Sequence, residues 1–312
     1  MPVLPNQVHR DRALENVSIA YKSKGFIAEM VFPKLPVKRE SDVYYVYSRD
    51  INSIPETLRA SGAESNEVSW NLSTSSYVLE EHALHDYVTD RQRENADLPI
   101  DLDIDATEIL THKLLLRREK DLAAVLQDTT QWGQVTSMSS SMQWSSNTTT
   151  SNPITQLDAL GTIITQNAGV GPNKLVVNDA QFKALKEHTS VVDRVKYTSD
   201  NSVTAPMLGQ LFTLDEVLVG RSIEQTAKEG LDTNVSAFIW TDCAALIYVS
   251  PTPKLKEVSA GYTFWKDAST APWKVEKWRE AKRTADAIQV SGMWQAKAVA
   301  TSCAYLIKDA VA

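Results

Sequence analysis

The fold class that this sequence predicts is mixed α+β, with parts that stand off the body, and three observations carry the prediction. A stretch from Ile100 to Gln127 has neither Gly nor Pro over 28 residues, a β-prone ribbon runs from Ser41 to Asp90, and short helix and strand patterns alternate through the second half. The chain has 312 residues, roughly two domains' worth at about 150 residues each, with 43% hydrophobic and 23% charged residues. Such a composition belongs to compact, ordered proteins and excludes collagen-like and coiled-coil arrays.

Charge and cysteine content narrow the class. With 32 basic against 39 acidic residues the net charge is -7, which argues against a dedicated nucleic-acid binder, because that affinity comes from neutralising phosphates. Cys243 and Cys303 both sit in apolar surroundings and read as core thiols of a reducing compartment. Arg10, Asp11, Arg12 and Glu15 occupy the place where an export signal needs an apolar run. The longest mostly apolar run, Val235 to Ser250, is broken by Asp242 and is shorter than the roughly 20 residues of a membrane span. Cytoplasmic synthesis of a soluble protein is the expectation.

Met1 to about Pro36 contains Pro2, Pro5, Pro33 and Pro36 and holds no sustained period. It predicts an extended strap with one helical turn rather than a strand inside a sheet. Val43 to Tyr47, Val68 to Leu72 and Tyr77 to Leu84 read as strands, with a polar stretch from Arg49 to Glu67 between the first two. A two-stranded excursion of this kind is marginal alone in water and is expected to dock on another molecule.

The Ile100 to Gln127 stretch predicts a long amphipathic helix of about 40 Å. Pro99 stands at a tolerated first-turn position, Asp101, Asp103, Asp105 and Glu108 crowd its start, and Lys113, Arg117, Arg118 and Lys120 fill its second half. Ser137 to Ser151 holds Ser or Thr at ten of fifteen positions. It reads as an exposed loop in which Met142 and Trp144 could anchor a strand. Asn152-Pro153 opens a helix ending near Gly169, Lys174 to Val177 is a strand, and Asn178-Asp179 caps a helix through His188. Val217 to Val219, Ala237 to Trp240, Ala244 to Val249 and Tyr262 to Trp265 read as strands. Trp273 to Glu280 and Ala287 to Trp294 are favoured as long strands, the second packing beneath the long helix. Ala296 to Ile307 stays open between helix and strand.

The chemistry-bearing residues are few. His82 and His85 are three apart in a strand and so face opposite sides of a sheet, which precludes joint chelation; ordinary surface histidines are the plain reading. No Gly-x-Ser-x-Gly elbow and no phosphate-binding glycine cluster occurs. Asp101, Asp103 and Asp105 lack the glycine and distal Glu of a calcium loop. Trp265, Trp273, Trp278 and Trp294, interleaved with Lys and Arg, could form a stacking platform for single strands, but Asp267, Glu276 and Glu280 dilute its field. No catalytic, cofactor-binding or metal-binding residue is assigned, and no cofactor is expected.

The order of parts, a proline-bearing arm, a long ribbon, a long helix, a mixed domain and a return strand, resembles the HK97-fold major capsid proteins of tailed bacteriophages. Glu56-Thr57-Leu58-Arg59-Ala60-Ser61-Gly62-Ala63, then Trp70, and Tyr77-Val78-Leu79-Glu80-Glu81-His82-Ala83-Leu84 resemble that family's extended E-loop. Val88-Thr89-Asp90 to Ala106-Thr107 resembles the approach to its spine helix. The resemblance implies an N-terminal arm over 1–40 and an E-loop hairpin over 41–98. It further implies a P-domain over 99–151 and 261–300 with the spine helix at 100–127, and a mixed α/β A-domain over 152–260 and 301–312. It implies a subunit that assembles with itself through hexamers and pentamers into an icosahedral head around double-stranded DNA. The subunit would be made in the host cytoplasm and would reside in the virion. Scaffolding, portal and decoration proteins would be further partners, DNA contact would be weak and non-specific, and membrane contact is not expected. The candidate inter-subunit contacts are Arg59, Glu64, Trp70, Glu81, Arg91 and Arg93. The family brings no catalytic residues. Other readings are an encapsulin-like shell, a phage tail structural protein, and a metal-dependent enzyme using His82, His85 and His112.

Overall fold

The computed structural model describes residues 25–47, 52–69, 71–96, 101–146, 148, 150–196, 203–227, 235–252, 257–266 and 273–311. The first 24 residues of the expected arm, Pro99 and Trp70 lie outside the described residues. In chain order the elements are α1 (Ala28–Val31), β1 (Lys34–Val37), β2 (Ser41–Tyr47), β3 (Leu72–Val78), β4 (Glu80–Thr89), α2 (Asp90–Glu94) and α3 (Leu102–Gln127). There follow β5 (Val135–Ser137), α4 (Pro153–Ala168), β6 (Lys174–Asn178), α5 (Asp179–Glu187), α6 (Thr189–Val195), α7 (Ala205–Leu211) and β7 (Glu216–Gly220). The chain closes with β8 (Ile223–Gln225), β9 (Ser236–Phe238), β10 (Cys243–Ile247), β11 (Gly261–Lys266), β12 (Lys274–Glu280), β13 (Ala285–Ala298) and β14 (Ala304–Lys308).

Two five-stranded sheets organise these elements. In the first, β13 is the long central strand: β12 and β11 pair with successive halves of it, and β4 pairs with it from Ala285↔Thr89 to Trp294↔Glu80. β1 joins β11 in parallel. The strap expectation is corrected here, because Pro36 lies in a paired strand. That strand is at the sheet edge, where a missing amide costs least. The second sheet runs β5-β14-β10-β6-β7, and every residue of β10 is buried.

α3 connects the two sheets. Its first half sets Ala106, Leu110 and Leu114 against Val88, Ile288, Val290 and Trp294 of the first sheet. Its second half places Leu122, Ala123 and Leu126 among Val176, Leu218, Ala245 and Leu306 of the second. Each fully buried Leu contributes about 1.5–3 kcal/mol by leaving water. The opposite face of the second sheet is covered by Ile154, Leu157 and Ile164 of α4 together with Leu185, Val191 and Leu208. Ile109, placed on the apolar stripe by the sequence pattern, is 50% exposed.

Several boundaries differ from expectation for identifiable reasons. The helix start is capped by Asp101, whose carboxylate accepts from the amides of Asp103 and Ile104. The second ribbon strand is Leu72–Val78 rather than Val68–Leu72, because Tyr77 finds an aromatic partner on β11 and sets the register. No strand occurs among the described residues from Met138 to Ser146. Trp144 is buried there and donates from Nε1 to Gln156 Oε1 at 3.1 Å, while Met142 is exposed. His188 ends α5 and caps α6, accepting from the Ser190 amide at 3.2 Å. The open stretch after Ala296 is strand twice over: β13 continues to Ala298, and β14 pairs with β10.

Candidate assembly surface

β2 and β3 pair antiparallel from Ser41↔Val78 to Tyr47↔Leu72. Side chains alternate across a strand, so the ribbon has one face with Tyr44 and Tyr77 and another with Val43, Tyr45, Leu72 and Val78. The inner face is anchored. Tyr77 stacks on Phe264 with centroids 4.6 Å apart and planes 8° from parallel, and Tyr44 stacks on the same ring at 5.6 Å. β13 secures the backbone as well: the Val78 amide donates to Gln295 Oε1 at 3.0 Å, and Lys297 Nζ donates to Ser75 Oγ at 3.3 Å and to the Ser76 carbonyl.

Among the described residues the outer face has no such cover. Val43 is 54% exposed, Tyr45 66%, Leu72 42% and Val78 57%. Beyond the strands the connecting loop carries Ile54 at 95% and Leu58 at 87% exposure. That loop is nonetheless held by local bonds. Asn66 Nδ2 donates to the Glu56 carbonyl at 2.8 Å, and the Ala63 amide closes a turn on the Ala60 carbonyl at 3.1 Å. Gly62 takes φ +83° at the third position of that turn, which only a residue without Cβ adopts cheaply.

At the ribbon's return to the body, six charges form an alternating network. Arg93 bridges Asp103 at 2.7 Å and Asp286 at 2.6 Å, Lys277 reaches Asp103 at 2.6 Å, and Arg279 pairs with Asp286 at 3.2 Å and with Asp90. The network joins α2, the start of α3, β12 and β13. Hydrogen bonds from Arg93 and then Arg279 pull the Asp286 carboxyl down to about 2. The Lys277 ammonium, followed by Arg93, lowers Asp103, and Arg279 lowers Asp90.

Of the candidate contact residues, Arg59, Glu64, Glu81 and Arg91 are exposed, with Arg59 Nε donating to the Ala63 carbonyl at 2.5 Å. Arg93 is committed to the internal network. The three histidines do not share a set of neighbours: His82 stacks on Trp294 at 4.1 Å, His85 meets Tyr87 edge-on at 5.0 Å, and His112 meets Phe26 edge-on at 5.6 Å. Among the described residues no group of three or more His, Cys, Asp or Glu could hold a metal ion. Trp265, Trp273 and Trp294 pack on one another at 5.1–5.6 Å, which leaves Trp278, 40% exposed, as the outward member of the Trp and Lys stretch. Both cysteines are buried, and burial pushes the Cys243 thiol up to about 11.

A phage-related protein from Bordetella bronchiseptica, known from its crystal structure, superposes with a TM-score of 0.72 at 24% identity, covering 93% of this chain and 94% of that one. The capsid structure of the cyanophage P-SCSP1u superposes with a TM-score of 0.65 at 11% identity, covering 97% and 93%. The fold is the HK97-like capsid fold. In sequence, the major capsid protein of Burkholderia phage BcepMu is 27% identical over 266 residues, 82% of this chain and 83% of that protein. No family model matches the chain.

Two features of this capsid fold escaped the sequence. The charge network joins residues up to 193 positions apart, and acidic residues at a helix start have a sufficient local explanation in the macrodipole. Glu119 is 1% exposed, although it stands in the charged run from Arg117 to Asp121. The one available signal was its spacing, four after Leu115 and three before Leu122, which places a carboxylate on the apolar stripe.

Proposed function

We propose that this chain is the major capsid protein of a phage, and that copies assemble through hexamers and pentamers into an icosahedral shell enclosing double-stranded DNA. One observation carries the reading: a ribbon anchored at its root by stacked aromatics leaves Val43, Tyr45, Leu72, Val78, Ile54 and Leu58 in water. Large apolar side chains gathered in water on one ribbon favour a protein contact. In a shell, the outer face of one copy's ribbon lies on the next copy, through heterologous contacts that close into rings. Several weak contacts per subunit suffice, because a copy held by its neighbours gains by multivalency. The net charge of -7 fits a container that encloses DNA without gripping it.

On this reading 1–40 is the arm, 41–98 the E-loop, 99–151 with 261–300 the P-domain, and 152–260 with 301–312 the A-domain. Arg59, Glu64, Glu81 and Arg91 are the surface charges offered to neighbours, and Trp70 is a further contact. The shell is the virion capsid, with subunits made in the host cytoplasm and with scaffold and portal proteins as partners.

Deleting Asn52 to Asn66 tests it. Electron microscopy and sedimentation should find shells from the full chain and a folded, unassembled subunit from the deletion. Normal shells from the deleted chain, or tubes or lone monomers from the full chain, would refute the reading.

A further inference from the structure

Glu119 lies in the second half of α3 and takes hydrogen bonds from three separate stretches of chain. The amides of Ile27 and Ala28, at the root of the arm, donate to Oε1 at 3.0 Å and to Oε2 at 2.9 Å. The Trp240 indole, beyond β9, donates from Nε1 to Oε1 at 2.8 Å. The Ser222 hydroxyl, between β7 and β8, lies 3.2 Å from Oε1 and 2.8 Å from the Gly25 carbonyl, so its one proton is shared between helix and arm. Trp240 is 2% exposed and Ser222 fully buried. A buried carboxylate is tolerated only while donors surround it. Each of its donors therefore matters to the others, since losing one leaves charge uncompensated around the rest.

Two further contacts tie the same stretches. The Ile239 amide donates to the Ser222 carbonyl at 3.0 Å, and Lys120, next along α3, pairs with Glu224 at 2.7 Å. At Gly25 the arm passes so close to Arg221 that a Cβ there would stand 3.0 Å from the Arg221 Cβ. The obstructing atom belongs to the stem of Arg221, not its flexible end, so it yields little. The arm root thus rests directly on the segment that Glu119 also holds.

We propose that Glu119 is a shared latch: it couples the seating of the arm root to the seating of Ser222 and Trp240, so that these contacts are secured or released together. The capsid fold supplies the setting, but the coupling does not depend on assembly. An arm drawn away by any contact would withdraw two amide donors from Glu119 and loosen Trp240, carrying a change at the arm into the body. Glu119 acts here as a positioning residue.

Hydrogen exchange on the full-length, unassembled protein tests the coupling, with peptides spanning 25–32 and 235–241 as readouts and β6 and β14 as internal controls. Glu119→Gln removes the charge and turns part of the carboxyl into a donor. Gly25→Ala presses on the latch from the arm side without touching α3. Each variant should speed exchange at least tenfold in both peptides and leave the controls unchanged. The double variant should exceed the stronger single variant by less than threefold, because both substitutions open one latch. If Glu119→Gln fails to fold, Gly25→Ala with Trp240→Phe, which removes the indole donor, carries the same comparison. The proposal is overturned if either variant frees only one peptide, if neither peptide responds, or if the two effects multiply independently.

Discussion

Strand β10 and the ribbon strand β2 are both rich in apolar residues, yet one is covered everywhere and the other on a single face. All five residues of β10 are buried between α3 on one side and α4 on the other, whereas β2 rests Tyr44 on Phe264 and turns Val43 and Tyr45 to water. β10 is apolar throughout, whereas β2 carries Ser41, Asp42 and three tyrosines. Their difference lies in what reaches the second face: among the described residues nothing covers the outer face of the ribbon.

Three substitutions or conditions sharpen that contrast. Leu246→Ala in β10 removes a side chain that is 1% exposed. It should cost about 2–5 kcal/mol, read as a fall in Tm of the unassembled subunit, and a change below about 1 kcal/mol would break the contrast. Tyr45→Ala on the ribbon should alter the subunit's stability by no more than about 0.5 kcal/mol while reducing shell yield several-fold in sedimentation. A large Tm loss without an assembly defect would mean that the outer face is already covered within one copy. The smallest effect concerns acid. Asp286 is held at about 2, below the ordinary carboxylate value of 3.8. The network's contribution is therefore present above about pH 4 and is lost as pH falls from 4 towards 2. Chemical denaturation at stepped pH should show a shallower decline over that interval for Asp286→Asn. An identical slope would show that the network does not link the ribbon's return to the body.

Much of the fold was legible in local patterns. The periodicity of Leu110, Leu114, Leu122 and Leu126 located α3, and Asn152-Pro153 and Asn178-Asp179 marked the starts of α4 and α5 through their capping chemistry. Val43 to Tyr47 announced β2. Its partner did not announce itself, because Ser73-Thr74-Ser75-Ser76 has little pattern of its own and is strand by virtue of its pairing. The short helices α6 and α7 were missed for a similar reason: seven residues carry too few turns for a period. Arg93 shows the limit at the candidate site. The resemblance offered it as a contact between subunits, whereas its bonds to Asp103 and Asp286 follow from where β13 lies.

From residues alone came the long helix, the first ribbon strand, the starts of α4 and α5 and the resemblance that joined them, because each rests on spacings a few residues apart. Tertiary structure decided which face of the ribbon is bare, that Glu119 is a buried node rather than a surface charge, and that Asp286 draws distant cations together. Those outcomes depend on contacts between stretches of chain separated by about a hundred residues or more, where burial and the loss of water set the energy, and no local pattern encodes which segments will meet.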